Sequence, residues 1–230
     1  MLHLKQGHIT QEAFSLKADL TLEQGQKYAV IGPSGAGKST LLGALCGFVP
    51  LDRGQWLWQG QDITGTPPGD RPMTMLFQDN NLFPHLTVTQ NVGLGLRPDL
   101  RLEASDKARV VQALTRVGLA DQMDKRPGAL SGGQQSRAAL ARVLVQARPL
   151  VLLDEPFAAL GPALRNEMLD LVQDLVAETQ AALVMVTHAP QDVARIADQV
   201  IFVAEGRAHA PEAAGPLMEN PPPVLKDYLG

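Results

Sequence analysis

Short apolar runs, each four residues long, are the clearest feature of the hydrophobic pattern. Segments richer in polar residues separate these runs, and no charged residue interrupts a run. A strand needs continuous hydrophobicity when both faces of its sheet are covered, as they are in parallel sheets. The pattern therefore predicts buried parallel strands at Tyr28–Ile31, Leu150–Leu153, Leu183–Val186 and Val200–Val203.

A helical period separates two of these runs. Apolar residues recur there at three- and four-residue spacing, which places them on one face of a helix that carries Pro162 in its first turn. Because strand, helix and strand follow one another, the sequence favours an α/β fold. The apolar residues of this helix are Leu164, Met168, Leu171, Val172, Leu175 and Val176.

Two other regions have different patterns. Residues 2–22 and 51–63 alternate apolar and polar positions, which predicts antiparallel strands. The segment from residue 79 to about 147 carries helical signals and no convincing strand, which indicates a helical insertion. We expect a single domain over residues 1–230, with a core at 1–78 and 148–230 and a helical subdomain at about 79–147.

Composition and charge restrict the possible functions. A chain of 230 residues suits one domain with an inserted subdomain, and its formal charge of −4 gives no electrostatic footprint for nucleic acid. The single cysteine, Cys46, cannot form an internal disulfide, and with no histidine nearby it is interpreted as a small core residue. No apolar run approaches the ~20 residues of a membrane span, so another chain would have to bring the protein to a membrane.

The segment "GPSGAGKST" follows the first predicted strand and opens a helical run. It fits the phosphate-loop pattern G-x-x-x-x-G-K-[ST], in which glycines let backbone N–H groups surround a phosphate. Lys38 would reach the β- and γ-phosphates, and the Ser39 hydroxyl would coordinate Mg²⁺; the alternative is a flexible glycine turn. The predicted ATP contacts are Gly32, Pro33, Ser34, Gly35, Ala36, Gly37, Lys38, Ser39 and Thr40.

Two acids end the second predicted strand, in "LVLLDEP". Ligands of open α/β sheets bind at the carboxyl ends of the strands, where Asp154 and Glu155 would emerge. Asp154 would hold Mg²⁺, directly or through water, and Glu155 would polarise the attacking water. Without the phosphate loop upstream, a solvated strand end would be the better interpretation.

Five motifs in a fixed order resemble the ATP-binding subunits of ABC transporters, over essentially the whole chain. They are "GPSGAGKST", "LFQDNNLFPHLTV", "LSGGQ", "LLDEP" and "VTH". The resemblance implies the ABC ATPase fold: a P-loop NTPase (RecA-like) core, an antiparallel β subdomain and an inserted α-helical subdomain. It also implies ATP hydrolysis with Mg²⁺.

The resemblance implies that the "LSGGQ" segment contacts the ATP that is bound to another chain. In this family two subunits meet head to tail, and each ATP lies between one chain's phosphate loop and the other chain's signature. The hydroxyl, the backbone N–H groups and the N-terminus of the following helix suit a γ-phosphate. A helix cap without a ligand is the alternative. The predicted contacts are Ser131, Gly132, Gly133 and Gln134.

Two further residues take catalytic roles from the resemblance. Gln78 matches the glutamine that senses Mg²⁺ and the attacking water and links the core to the helical subdomain. His188 matches the histidine that contacts the γ-phosphate. Outside their motifs, Gln78 would be interpreted as a surface residue and His188 as a capping or core residue.

The implied partners form an importer. We expect a homodimer of ATP-binding subunits, peripheral on the cytoplasmic face of the inner membrane, bound to a transmembrane permease. A substrate-binding protein outside would complete the complex, and no nucleic acid is expected. The apolar segment Asn81–Leu86 is a candidate surface for the permease's cytoplasmic helix.

The subclass is indicated by the segment "MLFQDNNLFPHLTVTQNVGLGLRP". With its paired Asn80–Asn81 it resembles the ATPases of thiamine importers. Importers of iron(III), polyamines or sulfate are the close alternatives. A soluble ABC ATPase that acts on DNA repair or ribosomes, and an inactive ATP-binding regulatory module, are the more distant ones.

Three positions depart from the family pattern. No aromatic residue stands clearly where adenine would stack: His8 and Phe14 are nearest, but Phe14 alternates like a core strand residue. Gly161 occupies a position where the family has Asp, in a loop that couples the two sites of the dimer. Ser136 stands where glutamine is usual.

Overall fold

The computed structural model describes residues 1–11, 14–222 and 225–226. The strands are β1 (Leu2–Gln11), β2 (Phe14–Leu22), β3 (Lys27–Ile31), β4 (Arg53–Trp58), β5 (Gln61–Asp62), β6 (Met73–Leu76), β7 (Leu150–Asp154), β8 (Ala182–Val186), β9 (Gln199–Ala204), β10 (Arg207–Ala208) and β11 (Glu212–Ala213). The helices are α1 (Lys38–Cys46), α2 (Val88–Gly93), α3 (Ala104–Arg116), α4 (Gly132–Leu144), α5 (Pro162–Thr179), α6 (Pro190–Ile196) and α7 (Ala214–Glu219), with 3₁₀ turns at Pro68–Asp70, Ala120–Gln122 and Pro127–Ala129.

These strands join in one sheet whose order is β5-β4-β1-β2-β10-β9-β3-β8-β7-β6, and β11 pairs with β9. The five strands from β9 to β6 are parallel to one another. At the other end, β1, β2, β4 and β5 are antiparallel. The four predicted parallel strands and the predicted antiparallel regions are therefore confirmed, as is the α/β class.

The parallel part of the sheet is covered on both faces, which explains its continuous apolar runs. Along β7, Leu150 and Leu152 pack into one hydrophobic cluster with α1. The intervening Val151 and Leu153 pack into a second cluster, on the opposite face, with α4 and α5. Since side chains alternate between faces along a strand, a strand covered on both faces needs an apolar residue at every position.

Strand β6 was not predicted. The run "MTML" is too short and too poor in β-branched residues to indicate a strand. In the structure it pairs in parallel with β7, and its polar residue Thr74 is buried. Pairing with β7 decides its conformation. Gln78, one of the predicted site residues, lies just beyond its carboxyl end.

Helices α2, α3 and α4 lie between β6 and β7 and share a hydrophobic cluster built around Val92, Val110, Leu114 and Ala141. No strand occurs between residues 79 and 147, all of which the structure describes. The exact division into a core and a helical subdomain stays a prediction. None of the helices in the described part of the chain is long and apolar enough to cross a membrane.

The helix that follows Gly161 begins at Pro162, as predicted. Met168, Val172, Leu175 and Val176 are buried, in agreement with the helical period. The other two predicted residues of this face, Leu164 and Leu171, are partly buried against the same cluster. Cys46 is also buried as predicted, and burial raises the pKa of its thiol to about 12, so it is no nucleophile at neutral pH.

Candidate nucleotide site

The glycine-rich loop runs from the end of β3 to the start of α1, as the motif requires. A Cβ at Gly32 would lie 1.9 Å from the carbonyl oxygen of Val203, so glycine is needed there by the neighbouring strand β9. At Gly37 the backbone is left-handed (φ 101°), and a Cβ would lie 2.3 Å from the Phe14 ring. Contacts within the chain therefore explain these two glycines before any ligand is considered.

Lys38 lies inside this loop and is buried. Its Nζ donates hydrogen bonds to the carbonyl oxygens of Gly32 (2.8 Å) and Pro33 (2.9 Å). Burial lowers the pKa of the Lys38 ammonium, and the carboxylates of Glu155 and Asp154 oppose that effect. The loop thus holds a cation at its centre, close to two acids.

Ser39 and Asp154 meet across the sheet edge. The Ser39 hydroxyl donates to Asp154 Oδ1 at 3.2 Å, and the Asp154 side chain is buried. Burial raises the pKa of Asp154, although the hydrogen bond from Ser39 lowers it in part. A hydroxyl and a carboxylate oxygen in contact beside a phosphate loop are the oxygen ligands that Mg²⁺ prefers, so these two residues fit the predicted metal.

Glu155 and His188 form the second pair of the site. His188 Nε2 lies 2.7 Å from Glu155 Oε1. Glu155 is left-handed (φ 45°), a conformation that is costly for a residue with a Cβ and that is concentrated at functional sites. The Glu155 carboxylate thus meets His188, which lies two residues beyond the end of β8.

A buried network behind His188 was not predicted. Arg165 of α5 forms an ion pair with Asp192 of α6, which is buried, and the Thr187 hydroxyl donates to the same carboxylate oxygen at 2.7 Å. Thr187 Oγ1 also accepts from the Ala189 N–H at 3.1 Å. Both neighbours of His188 are therefore held in place. A single sequence gives no signal for contacts between such distant residues.

One open cavity of about 770 Å³ brings eight of the seventeen predicted site residues together. Six residues of the loop line it together with Glu155 and His188, and Gln11 and Phe14 of β1 and β2 are added. Gly32, Pro33, Ala36 and Asp154 are not among the lining residues. Its lining is Gln11, Phe14, Ser34, Gly35, Gly37, Lys38, Ser39, Thr40, Glu155 and His188.

Phe14, the first residue of β2, is one of the residues that line this cavity. It still packs against the core, as its alternation predicted. Gln11 Oε1 accepts from Thr40 Oγ1 at 3.4 Å, which links the hairpin to α1.

Gln78 and the signature residues lie outside that lining. Gln78 is exposed on the turn after β6. Ser131 is the N-cap of α4: its hydroxyl accepts from the Gln134 N–H at 3.3 Å, while its own N–H donates to Gln134 Oε1 at 2.9 Å. This reciprocal pair is a capping box. Gly133 is close-packed, because a Cβ there would lie 2.3 Å from Leu164, whereas a Cβ at Gly132 would meet open space.

Comparison with known proteins places this arrangement in a family. The ABC transporter family model matches residues 16–158. The Thiamine import ATP-binding protein ThiQ of Cereibacter sphaeroides is 57% identical over 230 residues, with all of both chains covered. The protein of the same name from Ruegeria sp. is 55% identical, again with both chains fully covered.

Solved structures of ATP-binding cassettes share the fold of this chain. A dimeric ATP-binding cassette in a post-hydrolysis state, bound to ADP and Pi, is 27% identical with a TM-score of 0.81, covering 93% of this chain and 99% of the other. A nucleotide-free cassette from an ABC transporter has a TM-score of 0.89 at 22% identity, over 100% of this chain and 99% of the other, and so supports the fold. The chain therefore belongs to the ABC transporter family, as an ATP-binding cassette with the ABC ATPase fold.

Proposed function

We propose that this chain is the ATP-hydrolysing subunit of an ABC importer that energises uptake of thiamine or its phosphate esters. The observation that supports the ATPase most strongly is the cavity in which Lys38, Ser39, Glu155 and His188 converge. The names of the two full-length relatives support the import of thiamine. A permease would hold the chain at the cytoplasmic face of the inner membrane.

In this proposal the phosphate loop and Lys38 bind the phosphates of ATP. The burial of Lys38 keeps its cation in a region of low dielectric constant, where its attraction to phosphate is stronger than in water. Ser39 and Asp154 hold Mg²⁺, with Gln78 joining them from the turn after β6. When bound there, Mg²⁺ would neutralise part of the negative charge that the phosphates carry.

Hydrolysis transfers the γ-phosphoryl group to water, which gives ADP and phosphate. Glu155 polarises the attacking water, and His188 contacts the γ-phosphate while its ring is oriented by Glu155, 2.7 Å away. Thr187 and Asp192 hold the backbone on both sides of His188. Positioning and charge neutralisation are the main sources of rate acceleration in phosphoryl transfer.

The signature completes the site of a second subunit. Ser131 is exposed and lies outside the chain's own cavity, although its hydroxyl and the N-terminus of α4 suit an anion. A head-to-tail homodimer would bring this end of α4 to the partner's ATP. The cap and the ligand functions are compatible, because a hydroxyl has two acceptor lone pairs and one donor.

A groove beside the Gln78 turn suits the permease. It has a volume of about 530 Å³, and its apolar side chains include Met75, Phe77, Leu82 and Phe83. Phe83 is 47% exposed, which is unusual for so large an apolar residue. We assign this groove to a cytoplasmic helix of the permease, in agreement with the predicted role of Asn81–Leu86. The substrate-binding protein would act through that permease.

The experiment that tests this function uses the assembled transporter. ATP hydrolysis by the chain with its permease should rise when thiamine and the binding protein are added together. Iron(III), a polyamine and sulfate, each with the same binding protein, are the controls for the neighbouring importer classes. Stimulation by one of these instead of thiamine would reassign the substrate, and a chain that purifies without any permease would favour a soluble ATPase.

Phe14 provides a first prediction. Because its ring lines the cavity beside Gly37, we propose that it packs against adenine. Phe14→Ala should weaken ATP binding about 5- to 150-fold, since the loss of one base–aromatic stack costs ~1–3 kcal/mol. Phe14→Tyr, which keeps a ring, is the control. The measurement is nucleotide affinity by calorimetry, and equal affinity of the Ala and wild-type chains would remove Phe14 from the site.

Gly161 provides a second prediction. It is the N-cap of α5 with an ordinary extended backbone (φ −66°, ψ 158°), and a Cβ there meets open space. Gly161→Asp should therefore fold and stabilise the chain by a few tenths of a kcal/mol or more, because aspartate caps a helix slightly better than glycine. In the dimer the added carboxylate should also make hydrolysis faster or more cooperative in ATP.

The two effects are separated by measuring thermal unfolding and the ATP dependence of hydrolysis on the same variant. Gly161→Asn caps the helix without the charge and serves as the control. A gain in cooperativity with Asp alone supports the coupling role, whereas a gain in stability alone would reduce Gly161 to a helix start.

A further inference from the structure

The turn that follows Gln78 has an unusual backbone. Asn80 (φ 57°) and Asn81 (φ 46°) are consecutive left-handed residues. Asparagine tolerates this conformation better than most residues, but two in succession are still costly and need support from outside the turn. The support comes from one side chain, since Arg142 donates from Nη2 to the Asn80 carbonyl oxygen (2.8 Å) and from Nη1 to the Asn81 carbonyl oxygen (2.6 Å).

Arg142 is committed to these two carbonyl groups. Burial lowers the pKa of its guanidinium, and no carboxylate in the described part of the chain forms an ion pair with it. The planar fork of an arginine matches two neighbouring acceptors, which a lysine ammonium does not. A second contact lies close by, where the Asn80 side-chain amide is 3.4 Å from the hydroxyl of buried Ser136.

The position of this contact connects three parts of the molecule. The turn begins at Gln78, the residue proposed to sense the metal and water of the chain's own ATP. Arg142 and Ser136 belong to α4, the helix that starts just after Ser131 and would reach the partner's ATP. Asn81 and Arg142 also line the apolar groove that we assign to the permease.

We propose that Arg142 is a positioning residue that links the permease groove and the Gln78 turn to the signature helix. A helix entering the groove would press on the turn at Asn81, and the paired hydrogen bonds would carry that displacement to α4. One guanidinium would then connect the permease with both ATP sites of the dimer. This role depends on the proposed function, because it needs a permease-bound dimer.

The test compares Arg142→Met with Arg142→Lys in the assembled transporter. Arg142→Met should keep ATP affinity within about twofold and lower basal hydrolysis by no more than about threefold. Stimulation by thiamine with its binding protein should fall to less than a quarter of the wild-type ratio. Arg142→Lys keeps the charge without the fork, so it should recover part of the stimulation.

Arg109→Met is the matched control. Arg109 lies on α3 and donates to the carbonyl oxygen of Val145 at 2.8 Å, just past the end of α4, so it supports the same helix without touching the turn. It should keep the wild-type stimulation ratio. Equal loss in the Arg109 and Arg142 variants would mean that α4 is merely destabilised, and wild-type stimulation in Arg142→Met would also overturn the proposal.

A second measurement separates this proposal from the proposed function. Amide hydrogen exchange of the isolated chain should rise at residues 79–83 and also at residues 131–135 in Arg142→Met, and at neither segment in Arg109→Met. A change at the turn alone would contradict the link to the signature helix. If wild-type transporter is not stimulated by thiamine, the proposed function fails, and the exchange result still decides the link.

Discussion

Replacing Glu155 with glutamine is expected to reduce ATP hydrolysis by on the order of 10²–10⁴-fold, the usual contribution of a positioned base. Glutamine keeps the size of the side chain but loses the negative charge that polarises water. ATP affinity should stay near the wild-type value, because Lys38 and the loop are untouched. The variant should therefore accumulate as an ATP-bound dimer, which analytical ultracentrifugation detects.

Glu205→Gln is the matched control for this change. Glu205 is a left-handed glutamate like Glu155 (φ 50° and 45°), but it is exposed in the turn after β9 and lies outside the cavity. Its replacement should leave hydrolysis and dimerisation unchanged. Near-wild-type turnover in Glu155→Gln would remove the catalytic role from Glu155.

Ser131→Arg is expected to eliminate hydrolysis without affecting the ATP affinity of the monomer. Ser131 lies outside the chain's own cavity, so the site that the bulky cation damages belongs to the partner. Loss of the capping hydroxyl should lower stability by about 1 kcal/mol, which a thermal melt measures separately. Ser131→Ala loses the same cap without the added bulk and controls for that cost.

Mixing Ser131→Arg with Lys38→Ala tests the shared site further. In the heterodimer one site combines the intact phosphate loop of the first chain with the intact signature of the second, while the other site carries both lesions. The mixture should regain hydrolysis that neither variant has alone. If Ser131→Arg weakened ATP binding by the monomer as strongly as Lys38→Ala does, Ser131 would act on its own chain's nucleotide.

Local sequence patterns were sufficient for the residues that depend on local structure. The apolar run before Gly32 and the glycines after it specify a strand and a phosphate loop together, and the run before Asp154 specifies a buried strand end. Ser131 was considered as a helix cap, and the capping box with Gln134 confirms that interpretation of its local structure. Its contact with a partner's ATP stays a proposal.

Contacts between distant residues account for what the sequence did not predict. Strand β6 depends on pairing with β7, and the whole helical segment separates these two strands along the sequence. Phe14 lines the cavity because β2 begins beside Gly37, and periodicity alone cannot specify where a core face meets a site. The Arg165–Asp192 pair behind His188 and the Arg142 contacts with Asn80 and Asn81 join elements with no shared local pattern.

Uptake of labelled thiamine into proteoliposomes tests the central proposal most directly. The vesicles would contain the chain and its permease, with the binding protein outside and ATP inside. We expect uptake that requires ATP, that stops with Glu155→Gln and that persists with Glu205→Gln. Thiamine uptake at an equal rate without ATP, or with Glu155→Gln in place of the wild-type chain, would contradict the proposal that ATP hydrolysis by this chain drives import.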